Sequence, residues 1–147
     1  MAKPGVVQKI SSCDGCNLSE ALLMSKLSQA VSLHPYFEIH EGKLEPFLEL
    51  MPEFLKKTSN EPGCVYYDFF RSGQTAYCRE AYQGAEGLLA HLENVGDLVD
   101  RFLELSELKR IEVHGPKDEI EKLREPMAGL NPEFFIRETG LEIPCNG

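Results

Sequence analysis

The chain has no tryptophan, no apolar run approaching a bilayer span, and too few basic residues to match its acids. Each shortage excludes something. A membrane-spanning helix needs roughly 20 consecutive apolar residues, so none is expected, and no signal-peptide pattern opens the sequence. Lys and Arg number 15 against 24 Asp and Glu, a formal charge of −9. The imbalance is uneven: Lys3, Lys9 and Lys26 outnumber Asp14 and Glu20, so residues 1–30 carry +1 and the remainder −10. An acidic body repels phosphate backbones and anionic lipid, so neither nucleic acid nor a membrane surface is an expected partner. Cysteines stand at 13, 16, 64, 78 and 145, an odd number in a chain with no secretory mark. That argues for reduced thiols rather than a disulfide framework. The expectation is a soluble cytoplasmic protein, most simply one domain with a sizeable core.

What is present is organised around residues 61–95. Glu61-Pro62-Gly63-Cys64 has turn chemistry, with Pro presetting φ and Gly able to take the positive φ of a type II turn. Val65 to Phe70 alternates as a strand, Ser72-Gly73 is short enough to reverse the chain, and Tyr77 to Tyr82 alternates again. A helix follows from Ala85, with Leu88, Leu92, Val95, Val99 and Phe102 on one stripe and a break expected near Asn94-Val95-Gly96.

Upstream, Asn17 and Glu20 resemble a capping box for a helix with Leu23, Leu27, Ala30 and Val31 on one stripe, ended by His34-Pro35. Tyr36 to His40 reads as a strand closed by Gly42. Leu44 to Lys57 reads as a helix, kinked or split at Pro52, with Leu44, Phe47, Leu48, Met51, Phe54 and Leu55 buried. Downstream come a strand over 108–114, a charged helix over 117–125 anchored by Ile120 and Leu123, and a last strand over 134–139. The order is that of an α+β, ferredoxin-like split βαβ fold with an antiparallel sheet. Residues 1–32 form an N-terminal arm and helical extension, residues 33–147 the main domain, and a helix-strand extension closes the chain.

Helices cover one sheet face. The other is expected to hold Tyr36, Glu38 and His40, then Tyr66, Asp68 and Phe70, then Cys78, Glu80 and Tyr82, then Arg110, Glu112 and His114. A face mixing aromatic and titratable groups suits a cavity or a subunit interface better than open water.

Gly42-Lys43, Phe47-Leu48, Glu61-Pro62-Gly63-Cys64, Tyr67, Glu80-x-Tyr82 and Ala90-His91-Leu92, taken together, resemble the antibiotic biosynthesis monooxygenase (ABM) domain over about residues 36–114. The resemblance implies a dimeric α+β barrel in which two subunits pack their open sheet faces together and enclose a cavity in each half. The family includes cofactor-independent monooxygenases of phenolic or quinol substrates, haem-degrading enzymes, a signal-molecule isomerase and many members without known activity. This chain lacks the cavity tryptophan of several oxygenase and haem-degrading members. It also has Glu93-Asn94-Val95-Gly96-Asp97 where many carry a second histidine. Haem cleavage is therefore not expected.

Oxygenation without metal or flavin requires an electron-rich substrate that loses a proton and then reacts with O2. No cofactor is expected. Tyr66, Phe70, Tyr82 and His40 are the candidate substrate contacts, His91 the candidate base, and Glu80 its orienting partner or an alternative base. Structural readings stand beside these: His91 at a sheet edge or bonding across a dimer, and Glu80 with Tyr82 buried at a subunit interface. His40, His114, Glu38 and Glu112 are metal-capable types, but no spacing fixes a ligand set. Cys13-Asp14-Gly15-Cys16 precedes a helix start, where a thiolate is favoured, so this pair is either a redox or metal element or an incidental one. Cys64 and Cys78 read as small buried hydrophobes. Two functions follow: a homodimeric cofactor-independent monooxygenase of a small cyclic compound, or a non-catalytic ligand-binding or stress-type protein of the same fold. A redox module at Cys13 and Cys16 comes third.

Overall fold

Three strands of the computed structural model are joined by a crossover helix and a tight hairpin, and the remaining elements complete a helix-covered sheet. Residues 27–143 are described. A 3-10 turn, Leu27–Gln29, leads into β1 (Ala30–Ile39), α1 (Leu44–Thr58), β2 (Cys64–Ser72) and β3 (Thr75–Gln83). Next come α2 (Gly84–Asn94), α3 (Gly96–Leu105), β4 (Ser106–Gly115), α4 (Lys117–Leu123), a 3-10 turn (Ala128–Leu130) and β5 (Glu133–Ile136). The sheet order is β2-β3-β1-β4-β5, antiparallel except for the β4–β5 pair. The expected ferredoxin-like arrangement is present, with β5 added at one edge.

Several expectations are corrected. Ala30 and Val31 do not end a helix; they open β1, which runs through His34-Pro35. The stretch also satisfies a period of two, and two flanking strands supply pairing that local helix propensity cannot outweigh. Any helix from Asn17 lies outside the described residues as far as Lys26. Pro35 sits in a central strand, where the ladder to β3 steps from Leu33–Glu80 to Tyr36–Tyr77 and the ladder to β4 shifts register between Tyr36 and Phe37. A proline cannot donate to a ladder, so pairing toward β3 lapses around it while the register toward β4 continues through Pro35–Ile111. Pro52 lies within one uninterrupted α1. It faces solvent, where water can take up the carbonyl it leaves unbonded. The buried residues of α1 are Phe47, Leu50, Phe54 and Thr58, whereas Leu55 is exposed. The break between α2 and α3 falls at Val95, as the sequence suggests.

The hairpin carries the main correction. Its connection is Gly73-Gln74, with Gly73 at φ +58°, and Ser72 pairs with Thr75. A two-residue connection sets even-numbered positions of β2 opposite odd-numbered positions of β3. Asp68 pairs with Arg79 and Phe70 with Tyr77. Residues directly opposed share a face. The open face therefore holds Tyr66, Asp68, Phe70, Tyr77 and Arg79, while Cys78, Glu80 and Tyr82 point into the helix layer.

Two apolar clusters fill that layer. Val31, Leu33, Tyr82, Leu88, Val113 and Ile120 form one. Phe37, Phe47, Phe54, Val95, Leu98 and Phe102 form the other. Phe102 is its hub: its ring stacks on Phe47 at 4.0 Å between centroids and meets Phe54 at 4.5 Å and Phe37 at 5.4 Å. Phe102→Ala should cost about 3–5 kcal/mol of stability, read as a lower urea midpoint; a loss below about 1 kcal/mol would contradict this packing.

Candidate active site

The site is assembled by a close backbone approach. The turn at Glu61 forms as expected, with Cys64 N–H donating to the Glu61 carbonyl at 3.3 Å. Gly63 is not in the left-handed region, unlike Gly42, Gly73 and Gly84. The turn needs glycine for space instead. A Cβ at Gly63 would lie 3.2 Å from the Gly87 Cα, and one at Gly87 would lie 3.1 Å from the Tyr82 Cβ. With both side chains missing, α2 settles against the turn, and one helical turn beyond Gly87 its inner face presents His91 to Glu61. The N-terminus of α2 is fixed from α4, where a Glu119 carboxylate oxygen accepts from the Ala85 N–H at 2.7 Å.

His91 is 2 % exposed. Its Nδ1 lies 2.9 and 2.8 Å from the two Glu61 carboxylate oxygens. A carboxylate only accepts, so Nδ1 carries the proton and the Nε2 lone pair points the other way. There Nε2 lies 3.4 Å from Glu80 Oε1. The Tyr82 and Tyr67 rings flank the imidazole, at 4.7 and 5.4 Å between centroids. Burial pushes the His91 imidazole below its ordinary pKa, and the Glu61 carboxylate partly offsets this.

Glu80 is 1 % exposed. Its Oε1 accepts from the Tyr82 hydroxyl at 3.0 Å, whereas Oε2 is buried without a hydrogen-bond partner. Burial raises its carboxyl pKa to about 7, moderated by Cys78, Tyr82 and Tyr67 and raised further by Glu61. Burial also holds the Tyr67 hydroxyl and Cys78 thiol well above their usual ranges, so both keep their protons at neutral pH.

His91, Glu80, Tyr67 and Cys78 line one end of a cavity of about 60 Å3, whereas Tyr82 and Glu61 lie behind its wall. Its remaining wall is aliphatic and aromatic, drawn from both core clusters and including Phe37, Phe54, Val95, Phe102 and Ile111. Leu103 and Leu130 also line it and are 39 % and 38 % exposed, which places its mouth between α3 and the 3-10 turn after α4. A second cleft, of about 200 Å3, is lined by Glu61 with Thr58, Ser59, Cys64 and Tyr67, the last of which also lines the first cavity.

Among the sequence candidates, the structure brings His91, Glu80 and Tyr82 together. Tyr82 touches Glu80 and His91 but is fully buried in the core. Tyr66 and Phe70 lie on the opposite sheet face, 40 % and 44 % exposed, with the Arg79 guanidinium over both rings. His40 is exposed just beyond β1. These three therefore do not contact the cavity that His91 lines. Glu61, Tyr67 and Cys78 join the site without having been singled out for it. Glu61 was legible as a turn residue, and the proximity of its carboxylate to His91 depends on tertiary packing. Cys78 is buried and Cys64 half-buried, while Cys13 and Cys16 lie outside the described residues. Among the described residues no group of three or more His, Cys, Asp or Glu side chains is placed to hold a metal ion, and no helix is long and apolar enough to cross a membrane.

A ferredoxin-like sheet with its helices on one face is the fold of the dimeric α+β barrel superfamily, to which the chain belongs. The chain belongs to the antibiotic biosynthesis monooxygenase family, whose model matches residues 30–92, from the first residue of β1 to the residue after His91. MupZ from Pseudomonas fluorescens is 44 % identical, with 79 % of this chain and 96 % of that one covered and a TM-score of 0.77. A Bacteroides thetaiotaomicron protein described as a possible oxidoreductase is 27 % identical over 58 % of this chain and 96 % of its own, at a TM-score of 0.54. A conserved Methanosarcina mazei protein shares the fold, at 16 % identity, coverage of 65 % and 99 %, and a TM-score of 0.58. No curated protein matches the sequence.

The raised Glu80 pKa makes a stability prediction. Its folded value of about 7 exceeds the ordinary carboxylate value, so the native state holds this proton more tightly than the unfolded chain. The resulting stabilisation is complete below about pH 4.5 and is lost as pH rises through 7. Glu80→Gln removes that dependence. Between about pH 4.5 and 8 its stability should therefore gain about 3 kcal/mol relative to wild type, measured by urea unfolding across the range; a pH-independent difference would contradict a shifted Glu80.

Proposed function

We propose that the protein is a homodimeric, cofactor-independent monooxygenase acting on a small phenolic or related cyclic compound. The observation that carries this reading is the fixed orientation of His91, with Nδ1–H on Glu61 and a free Nε2 at the polar end of an apolar cavity. A substrate hydroxyl placed there gives its proton to Nε2. The imidazolium that forms is stabilised by the Glu61 carboxylate behind it, as a buried acid stabilises the histidine of a catalytic triad. Tyr67 and Cys78, which keep their protons, are the available donors toward the substrate anion.

The electron-rich ring carbon then bonds to O2. Loss of the ring proton and cleavage of the O–O bond give a carbonyl on the substrate and one water. Glu80, whose pKa lies near neutrality, is suited to supply the proton that the departing oxygen requires. The proton on His91 leaves through Nδ1 to Glu61, which borders the second cleft.

The opposite sheet face supports self-association. It combines exposed Tyr66 and Phe70 with an Arg79–Asp68 pair at 3.0 Å, and its centre is already dry: His34, 8 % exposed, bonds Tyr77 at 2.7 Å and Ser32 at 2.8 Å. Phe70→Asp should shift the protein to monomer in sedimentation, and an unchanged oligomeric state would remove this face from the interface.

Oxygen uptake with a panel of monocyclic phenols and quinols, in the presence of chelator, tests the reaction. His91→Ala should slow it by about 10²–10⁴-fold and Glu61→Gln by at least about tenfold. Uptake indifferent to His91→Ala, or absent across the panel, would sink the proposal.

A further inference from the structure

We infer that the cavity selects an uncharged, largely apolar ligand with one hydroxyl-type head, seated with that head on Glu80 and His91. The inference narrows the substrate class of the site proposed above and rests on the same polar end being the binding end.

Three observations support it. Among the described residues, the polar side chains lining the cavity are Tyr67, Cys78, Glu80 and His91, and no Lys or Arg lines it. An anionic ligand would enter without a counter-charge and meet a carboxylate. A cation would lose its hydration against aliphatic walls, gaining only a carboxylate that is itself reluctant to ionise.

The second observation is the unpartnered Glu80 Oε2 in a side chain that is 1 % exposed and lines the cavity. Buried carboxylate oxygens are rarely left unbonded, and a ligand hydroxyl is a partner of the right type. His91 Nε2, the other free acceptor, lies 3.4 Å from Oε1 of the same carboxyl group, so a hydroxyl seated here can donate its one proton to either acceptor with the other close by.

Third, the cavity is small. A volume of about 60 Å3 admits a few waters or the head of a ligand, so the rest of a ring would extend toward Leu103 and Leu130 at the mouth. Size and wall chemistry together favour one ring with one polar group. A second polar group against the Phe54 or Phe102 wall would lose its water without finding a partner.

The test compares phenol, toluene, benzoate and benzylammonium, four single-ring probes differing in the head, by NMR titration of the full-length protein in the absence of turnover. Phenol should bind at least about tenfold tighter than each of the others, with the largest shifts at His91. Glu80→Leu, which keeps the volume and removes the acceptor, should abolish the preference of phenol over toluene. Leu130→Trp, on the surface at the mouth, should weaken both. Benzoate or benzylammonium binding as tightly as phenol would overturn the inference. So would a phenol preference that survives Glu80→Leu, or probe binding unaffected by Leu130→Trp. Oxygen uptake is not read in these titrations, so selective phenol binding by a protein with no oxygenase activity would refute the reaction and leave this inference standing.

Discussion

The arrangement depends on the contact between His91 and Glu61. A buried imidazole with both nitrogens free could adopt either tautomer and several ring orientations. The carboxylate on Nδ1 removes that freedom, and the Tyr67 and Tyr82 rings on either side hold the plane. What remains is one lone pair, on Nε2, directed at the single polar end of an apolar cavity. Glu80, Tyr67 and Cys78 then become meaningful as neighbours of that lone pair. The contact itself depends on two absent side chains, because Gly63 and Gly87 let α2 approach the turn that carries Glu61.

The sheet separates this chemistry from the surface available for association. On the helix side lie the core, the cavity and the buried titratable groups. On the other side Tyr66, Phe70, Tyr77 and Arg79 form a patch of aromatic rings and paired charge, with His34 at its dry centre. The division has a physical basis. A hydrophobic wall raises the proton affinity of Glu80, and open water would cancel that effect. A surface meant for a partner benefits from charges that are already paired before contact.

Much of this was legible in the sequence, and the limits were specific. The element order, the hairpin, the turn at Glu61 and the break at Val95 follow from local chemistry alone. His91 and Glu80 stood out as candidates by residue type and family pattern, with Glu80 as a partner for His91. The sheet face that carries Glu80 was misread, because placing both strands' even-numbered residues on one face conflicts with a two-residue hairpin connection. Applying that parity moves Glu80 and Tyr82 from the open face into the helix layer and separates them from Tyr66 and Phe70. The strand at Ala30 and Val31 was hidden by an equally good helical stripe, and only pairing with β3 and β4 decides between the two. Glu61 carried no chemical signal beyond its place in a turn, since its contact with a residue thirty positions away arises from the packing of α2.

The most direct test is the protonation state of the His91 ring, read from its side-chain 15N chemical shifts at neutral pH in wild type and in Glu61→Gln. Wild type should show a neutral ring, protonated at Nδ1 and free at Nε2, and a mixture of tautomers should appear once the carboxylate is replaced. A ring protonated at Nε2, or a full imidazolium at neutral pH, would mean that no base faces the cavity and would contradict the central claim.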